Sequence, residues 1–561
     1  MLQRALQSSA ERQNPNSFTL KDPLKILFLI FWWDLFAESH RRQVCYTPFM
    51  KHIARSTLII AVFFGLEKVL GFVRNVLIAR TFNLSAELDA FNAANNIPDL
   101  IFALISGGAL AMAFIPVLSE YRESRSKQEM WLLFSRIANG VFLATALVSI
   151  LIAVSANQLV GWEIGIAPGF DAQQQQLVSE LMRLNLIATL LFSLGGLVIA
   201  GLQAQQHFLV PALAPSMYDI GSLFGIVILA PSEPYKLGPL SLPAFNLGVH
   251  GLVYGVILGA SLFLLVQIPT LVKYGYRWKP DFKFKDPGVL QVLHLMGPRV
   301  LTVFFIQTVF LIQDNLASRL PTGAVTALVY GWLFMQLPES LLGTALGTAL
   351  LPTLSEQISR GDLPGYRATL EKTIRILSGL TIPLAVILSL GLEPIIALLG
   401  FDQAGITLVL WTVRAYMLGL MGHSLLEVAA RAFYARQNAK TPLVASGAAL
   451  IGFLILSIPL SRWLGAPGIG LANSLAYTAE AILLFMLLYK VMPFSPRLGK
   501  TLLRALGASL TGILISLALQ SWVGSPEAVG LHAIFAAINL VICSLLIIPW
   551  MLPEIRELTR I

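Results

Sequence analysis

Charged side chains are scarce in this chain, and cysteine is almost missing. Asp, Glu, Lys and Arg make up 12% of its 561 residues, while 56% are hydrophobic. Soluble domains carry about 25% charged residues, so a water-soluble globular fold is excluded. Only Cys45 and Cys543 occur, near opposite ends, which leaves no disulfide framework and no Cys-based metal site to expect. Walker A, HExxH, Cys/His-cluster and nucleophile-elbow sequences are all missing, so no nucleotide hydrolysis and no metal-dependent or covalent mechanism is encoded in a recognisable motif. Scattered loop aspartates would suit a polytopic glycosyltransferase, but no paired acidic motif accompanies them. The expectation is a non-enzyme without cofactor or bound metal.

What the chain has instead is apolar length. Its mean hydropathy is +0.74. Runs of about 20 apolar residues, long enough to cross a ~30 Å hydrocarbon layer as helices, recur with short polar breaks. They number about fourteen: 56–81, 90–117, 130–154, 176–204, 208–230, 245–272, 289–315, 322–351, 369–399, 405–433, 441–461, 467–491, 501–523 and 528–552. The fold class expected is therefore an all-α polytopic membrane protein, and the runs are called spans 1 to 14 below.

Loop charge orients them, because short cytoplasmic loops are richer in Lys and Arg than external ones. With the N-terminus inside, the even-numbered connections carry Arg122, Arg125 and Lys127; Lys273, Arg277, Lys279, Lys283 and Lys285; Arg360 and Arg367; Arg436 and Lys440; and Lys490, Arg497 and Lys500. The odd-numbered ones carry only Lys236, Arg319, Arg462 and, at a helix end, Arg80. The connection around His207 is the one even loop with neither Lys nor Arg. Both termini are expected in the cytoplasm, and topology accounts for the net charge of +9, which gives no support for nucleic-acid binding.

Residues 1–49 stand apart. LKILFLIFWWDLFA (24–37) is too short to span and contains Asp34, so it reads as an interfacial segment. A signal peptide is one alternative; another is translation from Met50, whose MKHIARS forms a short basic start.

The rest is internally duplicated. GGALAMAFIPVLSE (107–120) aligns with GTALGTALLPTLSE (343–356), and AQQHFLVP (204–211) echoes ARQNAKTP (435–442). These matches lie in spans 2 and 8 and between spans 4/5 and 10/11, so the repeat unit is six spans. An even unit inserts both copies in the same sense, giving a parallel repeat. The expected organisation is an extension 1–49, an N-lobe 50–285, a C-lobe 286–495 and two extra spans in 496–561, with the two lobes around a central cavity.

Charges inside apolar spans are costly and usually face protein or water. In span 1, Lys68 and Arg74 are six residues apart, about 9 Å along a helix axis, and can line one wide cavity wall. Glu67 pairs with Lys68 or lies near the inner surface, and Arg80 is close enough to the outer end to snorkel. Asp89 begins span 2, where a carboxylate suits a helix N-terminus. Pro98 and Pro338 occupy comparable places in the two lobes and each removes a helical hydrogen bond, for a gating kink or a packing kink. Arg299, in the first half of span 7, could face the cavity opposite span 1. His423, Glu427 and Arg431 share one helix face, as an internal ion-pair ladder or as a site of proton or ion coupling.

VLGFVRNVLIARTF (69–82), LDAFNAANNIP (88–98), GGALAMAFIPVLSEY (107–121), LGTALGTALLPTLS (342–355) and RAFYARQNAKTP (431–442), in this order and spacing, resemble the MurJ (MviN) lipid II flippase family of the multidrug/oligosaccharidyl-lipid/polysaccharide exporter superfamily. The resemblance covers about residues 50–552. It implies fourteen helices, two six-helix lobes around a cationic cavity and a final helix pair bordering a groove for a polyprenyl tail. It also implies a partner, an undecaprenyl-pyrophosphate-linked glycopeptide, moved from the inner to the outer leaflet of the bacterial cytoplasmic membrane for wall synthesis. Membrane lipid and a coupling ion would be the other partners. Lys68 and Arg74 fall on the basic positions of the family's first-helix motif, and Asp89 on the aspartate before its second helix.

Several family charges are replaced. Asn75 stands for an aspartate, Phe102 and Ala103 for basic residues, and Gly107-Gly108-Ala109 for Glu-Gly-Ala. Trp332, Leu333 and Gln336 stand where an Asp-Arg pair and a Glu are usual in span 8. Span 11 has no carboxylate, so the resemblance transfers no carboxylate-based cation site there. The function expected is lipid II translocation by alternating access, with Arg74 and Lys68, and Arg299 by position, attracting the pyrophosphate. The alternatives are export of another polyprenyl-linked glycan or amphiphile, and a non-transporting scaffold in wall assembly.

Overall fold

A computed structural model describes residues 48–105, 108–238, 240–523 and 529–558. The interfacial segment expected at 24–37 lies outside them. Residues 60–561 form one compact unit and residues 1–59 a separate one; of the latter only the start of the first helix is described.

Each of the fourteen expected segments contains helix among the described residues, with short breaks such as 245–247, 392 and 418–419. Span 1 is Pro48–Phe82, and span 2 is Ala86–Ile105 followed by Gly108–Ser124. Spans 3 to 6 run over Lys127–Gly161, Ala172–Ala204, Leu209–Leu229 and Gly248–Lys273. A two-residue antiparallel hairpin, Lys236–Leu237 with Leu240–Ser241, lies between spans 5 and 6. Span 7 is Pro287–Ala317, and span 8 is Ala324–Glu339, a π turn Ser340–Thr344 and Ala345–Ser359. Span 9 is Leu363–Gly391; span 10 is Gln403–Met417 and Leu420–Ala435, bent by 41°. Spans 11 to 14 are Lys440–Leu464, Ala466–Val491, Gly499–Val523 and Val529–Leu558.

Ten of these helices are long and apolar enough to cross a membrane, and the bent pair of span 10 makes an eleventh. The count of fourteen is thus not reached among the described residues. The three others are spans 1, 2 and 8. Span 1 begins where side chains are not described; span 8 is interrupted by its π turn, and spans 2 and 8 each carry polar residues on the wall of the cavity described below.

Local chemistry fixes the helix starts. Ser126, Asp171, Asp286, Asp362 and Asp402 each accept a hydrogen bond from a backbone N–H two or three residues on, the N-cap arrangement that satisfies otherwise orphaned donors. Pro287 and Pro364 follow two of these caps, where a missing N–H costs nothing.

The duplication has a structural counterpart. Gln206 and Gln437, paired by the second sequence echo, both adopt positive φ, 59° and 56°. His207 N–H donates to Leu202 O at 2.9 Å and Asn438 N–H to Phe433 O at 3.0 Å. Spans 4 and 10 therefore end in the same left-handed cap with a six-to-one hydrogen bond. The first echo also holds, since Gly108–Ser124 and Ala345–Ser359 occupy equivalent stretches.

Apolar side chains pack mainly within each half. Phe114, Trp131 and Phe134 anchor one first-half cluster, and Leu88, Met182 and Val253 another. In the second half, Tyr416, Phe453 and Ile469 form one core and Leu350, Tyr366 and Leu484 the next. Spans 13 and 14 pack through Ala508, Cys543 and Met551 against Ile387 of span 9. Val154, Leu418 and Trp463 point outward, the surface that lipid covers.

Candidate functional site

An Asn-rich helix turn and a half-buried arginine meet between the two halves. Asn92, Asn95 and Asp99 recur every three or four residues in span 2, which puts them on one helix face. With Arg74 and Asn75 of span 1, Tyr218 of span 5 and Trp332 and Gln336 of span 8, they line a cavity of about 480 Å³. Such a space holds a drug-sized ligand.

Arg74 is the cation on this wall. Its Nη1 donates to Asp219 Oδ1 of span 5 at 2.7 Å, with side-chain exposures of 20% and 3%, so Asp219 is held where water cannot replace the partner. The guanidinium carbon also sits 5.0 Å from the centre of the Tyr218 ring, a cation–π contact that leaves its edge available. Tyr330 OH donates to Asn75 O at 2.9 Å, joining span 8 to span 1 beside the ion pair.

The other expected residues are placed differently. Lys68 is exposed and contacts Glu67 at 3.2 Å; it is not on the cavity wall. Arg299 is exposed on span 7, also off that wall, with Tyr434 within electrostatic reach. Pro98 is buried inside span 2, next to Asp99. Pro338 lies in the last turn before the π turn 340–344, so the lost hydrogen bond coincides with the change of helix type. His423 leaves the expected ladder: Glu427 pairs with Arg431, whereas His423 Nε2 meets Asn473 Oδ1 at 3.1 Å.

Asp89 does not cap its own helix. Its carboxylate accepts from Gly323 N–H at 2.6 Å, Thr326 N–H at 2.8 Å and the Thr326 hydroxyl at 2.7 Å. It caps span 8 from span 2, across the halves. Gly323 has φ 92°, a left-handed value that points its N–H at the carboxylate and that glycine adopts without strain. Asn92 Nδ2 adds a bond to Thr326 Oγ1 at 3.0 Å, and Asn96 donates to the buried Asp314 of span 7.

The same end carries further cross-half bonds. Asn315 Nδ2 donates to Gly165 O at 2.7 Å and Glu163 O at 2.8 Å, Arg319 pairs with Glu163, and Gly169 N–H donates to Ser318 Oγ at 3.2 Å. A side chain at Gly169 would lie 2.5 to 2.6 Å from the backbone of Ser318 and Arg319, which shows how closely the halves meet. The arrangement is a polar cavity closed at one end by a hydrogen-bonded seam.

Asp219 and Asp314 stand in the sequence as isolated buried carboxylates, with nothing to name their partners, which are 145 and 218 residues away. The Asn spacing in span 2 was a usable signal.

The lipid II flippase MurJ family model matches residues 78–538. The chain belongs to the lipid II flippase MurJ family. Relatives include the lipid II flippase MurJ of Burkholderia cenocepacia, 31% identical over 82% of this chain and 88% of that protein. The probable lipid II flippase MurJ of Vibrio cholerae is 28% identical over 83% of this chain and 89% of that one. A solved lipid II flippase MurJ in an inward closed conformation has TM-score 0.69 at 22% identity, covering 88% of this chain and 100% of its own. An inward-facing multidrug resistance MATE transporter of the MOP superfamily has TM-score 0.62 at 12% identity, covering 78% and 98%; both show a shared fold. Family membership and the apolar helices make the chain a multi-pass protein of the bacterial inner membrane. The MurJ model begins after Arg74, so the case for that residue rests on the cavity itself.

Proposed function

We propose that the chain translocates the lipid-linked peptidoglycan precursor lipid II from the inner to the outer leaflet by alternating access, without a covalent step. The observation that carries this is Arg74, a guanidinium on the wall of a cavity between the halves, balanced there by Asp219. A diphosphate offers what Asp219 offers, an anionic oxygen pair, and with greater charge; it would displace the carboxylate and take charge-assisted hydrogen bonds from the same donors. Asn92, Asn95 and Gln336 supply neutral hydrogen-bonding groups for sugar and peptide. Lys68 supplies positive charge two helical turns along span 1, and Arg299 supplies it on span 7.

In this proposal, residues 50–285 and 286–495 act as two lobes and 496–561 as an added pair, both termini are cytoplasmic, and the Asp89 seam closes the outer end. A cavity of about 480 Å³ is too small for an undecaprenyl-pyrophosphate disaccharide-pentapeptide head group, so loading requires the halves to part at the opposite end. The neutral Trp332, Leu333 and Gln336 favour one second reading, export of a different polyprenyl-linked glycan with less anionic charge. Cells depleted of their own MurJ test both. Rescue by the wild type and failure of Arg74→Ala support lipid II; rescue by both removes Arg74 from the mechanism, and stable expression without rescue favours the other cargo.

A further inference from the structure

Spans 10 and 12 share a polar seam that substrate handling leaves unused. Asn473, Tyr477 and Glu480 recur at four and three residues on span 12 and therefore share a face. Asn473 and Tyr477 meet His423 of span 10, and Glu480 is within electrostatic reach of Tyr434. His423 stacks on Tyr477 with ring centres 4.6 Å apart and contacts Asn473 through Nε2.

Glu480 is 6% exposed, and its Oε2 has no hydrogen-bond partner. Arg431 of span 10 is already bound by Glu427. A carboxylate oxygen buried without a partner is costly, so it calls for a ligand. Among the described residues no group of three or more His, Cys, Asp or Glu is placed to hold a metal ion.

We infer that the second half of the molecule carries a proton-binding site at Glu480, within the seam between spans 10 and 12. The carboxylate takes one proton and becomes a neutral acid; no other reactant is involved. Tyr477 on its own helix and Tyr434 on span 10 are the titratable groups facing it. Arg431, Glu427 and, from span 7, Arg299 are within electrostatic reach of Tyr434, and Glu339 of span 8 is within reach of Glu427 and Arg431. Span 11 has its charges at its ends, Lys440 and Arg462. On the first helix of span 10, Arg414 is engaged by Ser389 O and Tyr416 by Gln313.

The seam reaches the cavity. His423 also meets Trp332 edge-on at 5.5 Å, and Trp332 is part of the cavity wall. Loss of the proton leaves a charge within electrostatic reach of Tyr477 and disturbs its stack on His423. That coupling rests on the transport proposal; proton binding does not.

Infrared spectroscopy of the full chain in lipid nanodiscs, with glutamate carboxyls carbon-13 labelled, reads the site directly. The expected result is a protonated-glutamate carbonyl band at neutral pH, lost in Glu480→Gln, retained in Glu67→Gln and removed by alkali. An unchanged band in Glu480→Gln overturns the inference, as does its loss on adding sodium at constant pH. Wild type alone decides if the variant does not fold, since a spectrum without any protonated glutamate at neutral pH also overturns it. A chain that shows the band but moves no lipid leaves the proton site standing and refutes transport.

Discussion

At the residue scale, Arg74 and Asp219 are interdependent. Removing Arg74 leaves an acid of 3% exposure without its counter-charge, whereas removing both leaves no orphan. Breaking one side of a buried pair costs about 3–5 kcal/mol. Arg74→Ala should therefore lower the thermal denaturation midpoint in detergent by more than Arg74→Ala/Asp219→Ala does, although both lose diphosphate binding. Equal midpoints would show that the pair contributes nothing to the fold. The sequence made Arg74 visible because a charge in an apolar run is conspicuous. It could not show Asp219 as the partner, because a contact over 145 residues depends on how spans 1 and 5 pack.

Among the elements, span 8 depends on a cap from another helix. Asp89→Ala leaves the Gly323 and Thr326 N–H groups unpaired, a cost of about 1–3 kcal/mol for each buried orphan. Labelling of a cysteine placed at Asn92 should then become faster, while unchanged labelling would mean the seam holds without the carboxylate. The loop between spans 6 and 7 depends on span 3 in a similar way. Arg136 Nη1 donates to Asp286 at 2.6 Å, and its Nε and Nη2 to Asp281 Oδ2 at 3.1 and 3.0 Å. Partial burial pushes the Asp281 carboxyl up, but the bonds from Arg136 and Lys283 N–H outweigh it and hold it below its ordinary value. A depressed carboxyl contributes stability above its unfolded value and loses it as pH falls through the folded one. Amide exchange across 276–286 should rise in acid, and in Arg136→Ala already at neutral pH.

Helix positions were legible because apolar length alone specifies them. Span 8 fits that rule less well, because polar residues such as Gln336 line the cavity instead of facing lipid. The role of Asp89 differs for a related reason: a carboxylate beside a helix start suggests a local cap, and only the approach of Asp89 to Gly323 and Thr326 reveals the remote one.

At the scale of the whole molecule, the duplicated sequence specifies two similar halves, but the surface on which they meet could not be read from either copy. Gly169 tests that surface. Gly169→Ala puts a carbon within 2.6 Å of the Ser318 and Arg319 backbone, too close to keep, so the seam should loosen and cross-linking between cysteines at Pro168 and Arg319 should fall. Undiminished cross-linking would show that the contact yields without cost.

The central claim is that Arg74 captures a diphosphate in the cavity, and lipid II translocation in proteoliposomes tests it most directly. The wild type should move the lipid; Arg74→Ala should move it at least about tenfold more slowly, a loss of about 1.4 kcal/mol in recognition; and adding Asp219→Ala should not restore it. Translocation by Arg74→Ala at the wild-type rate would contradict the claim.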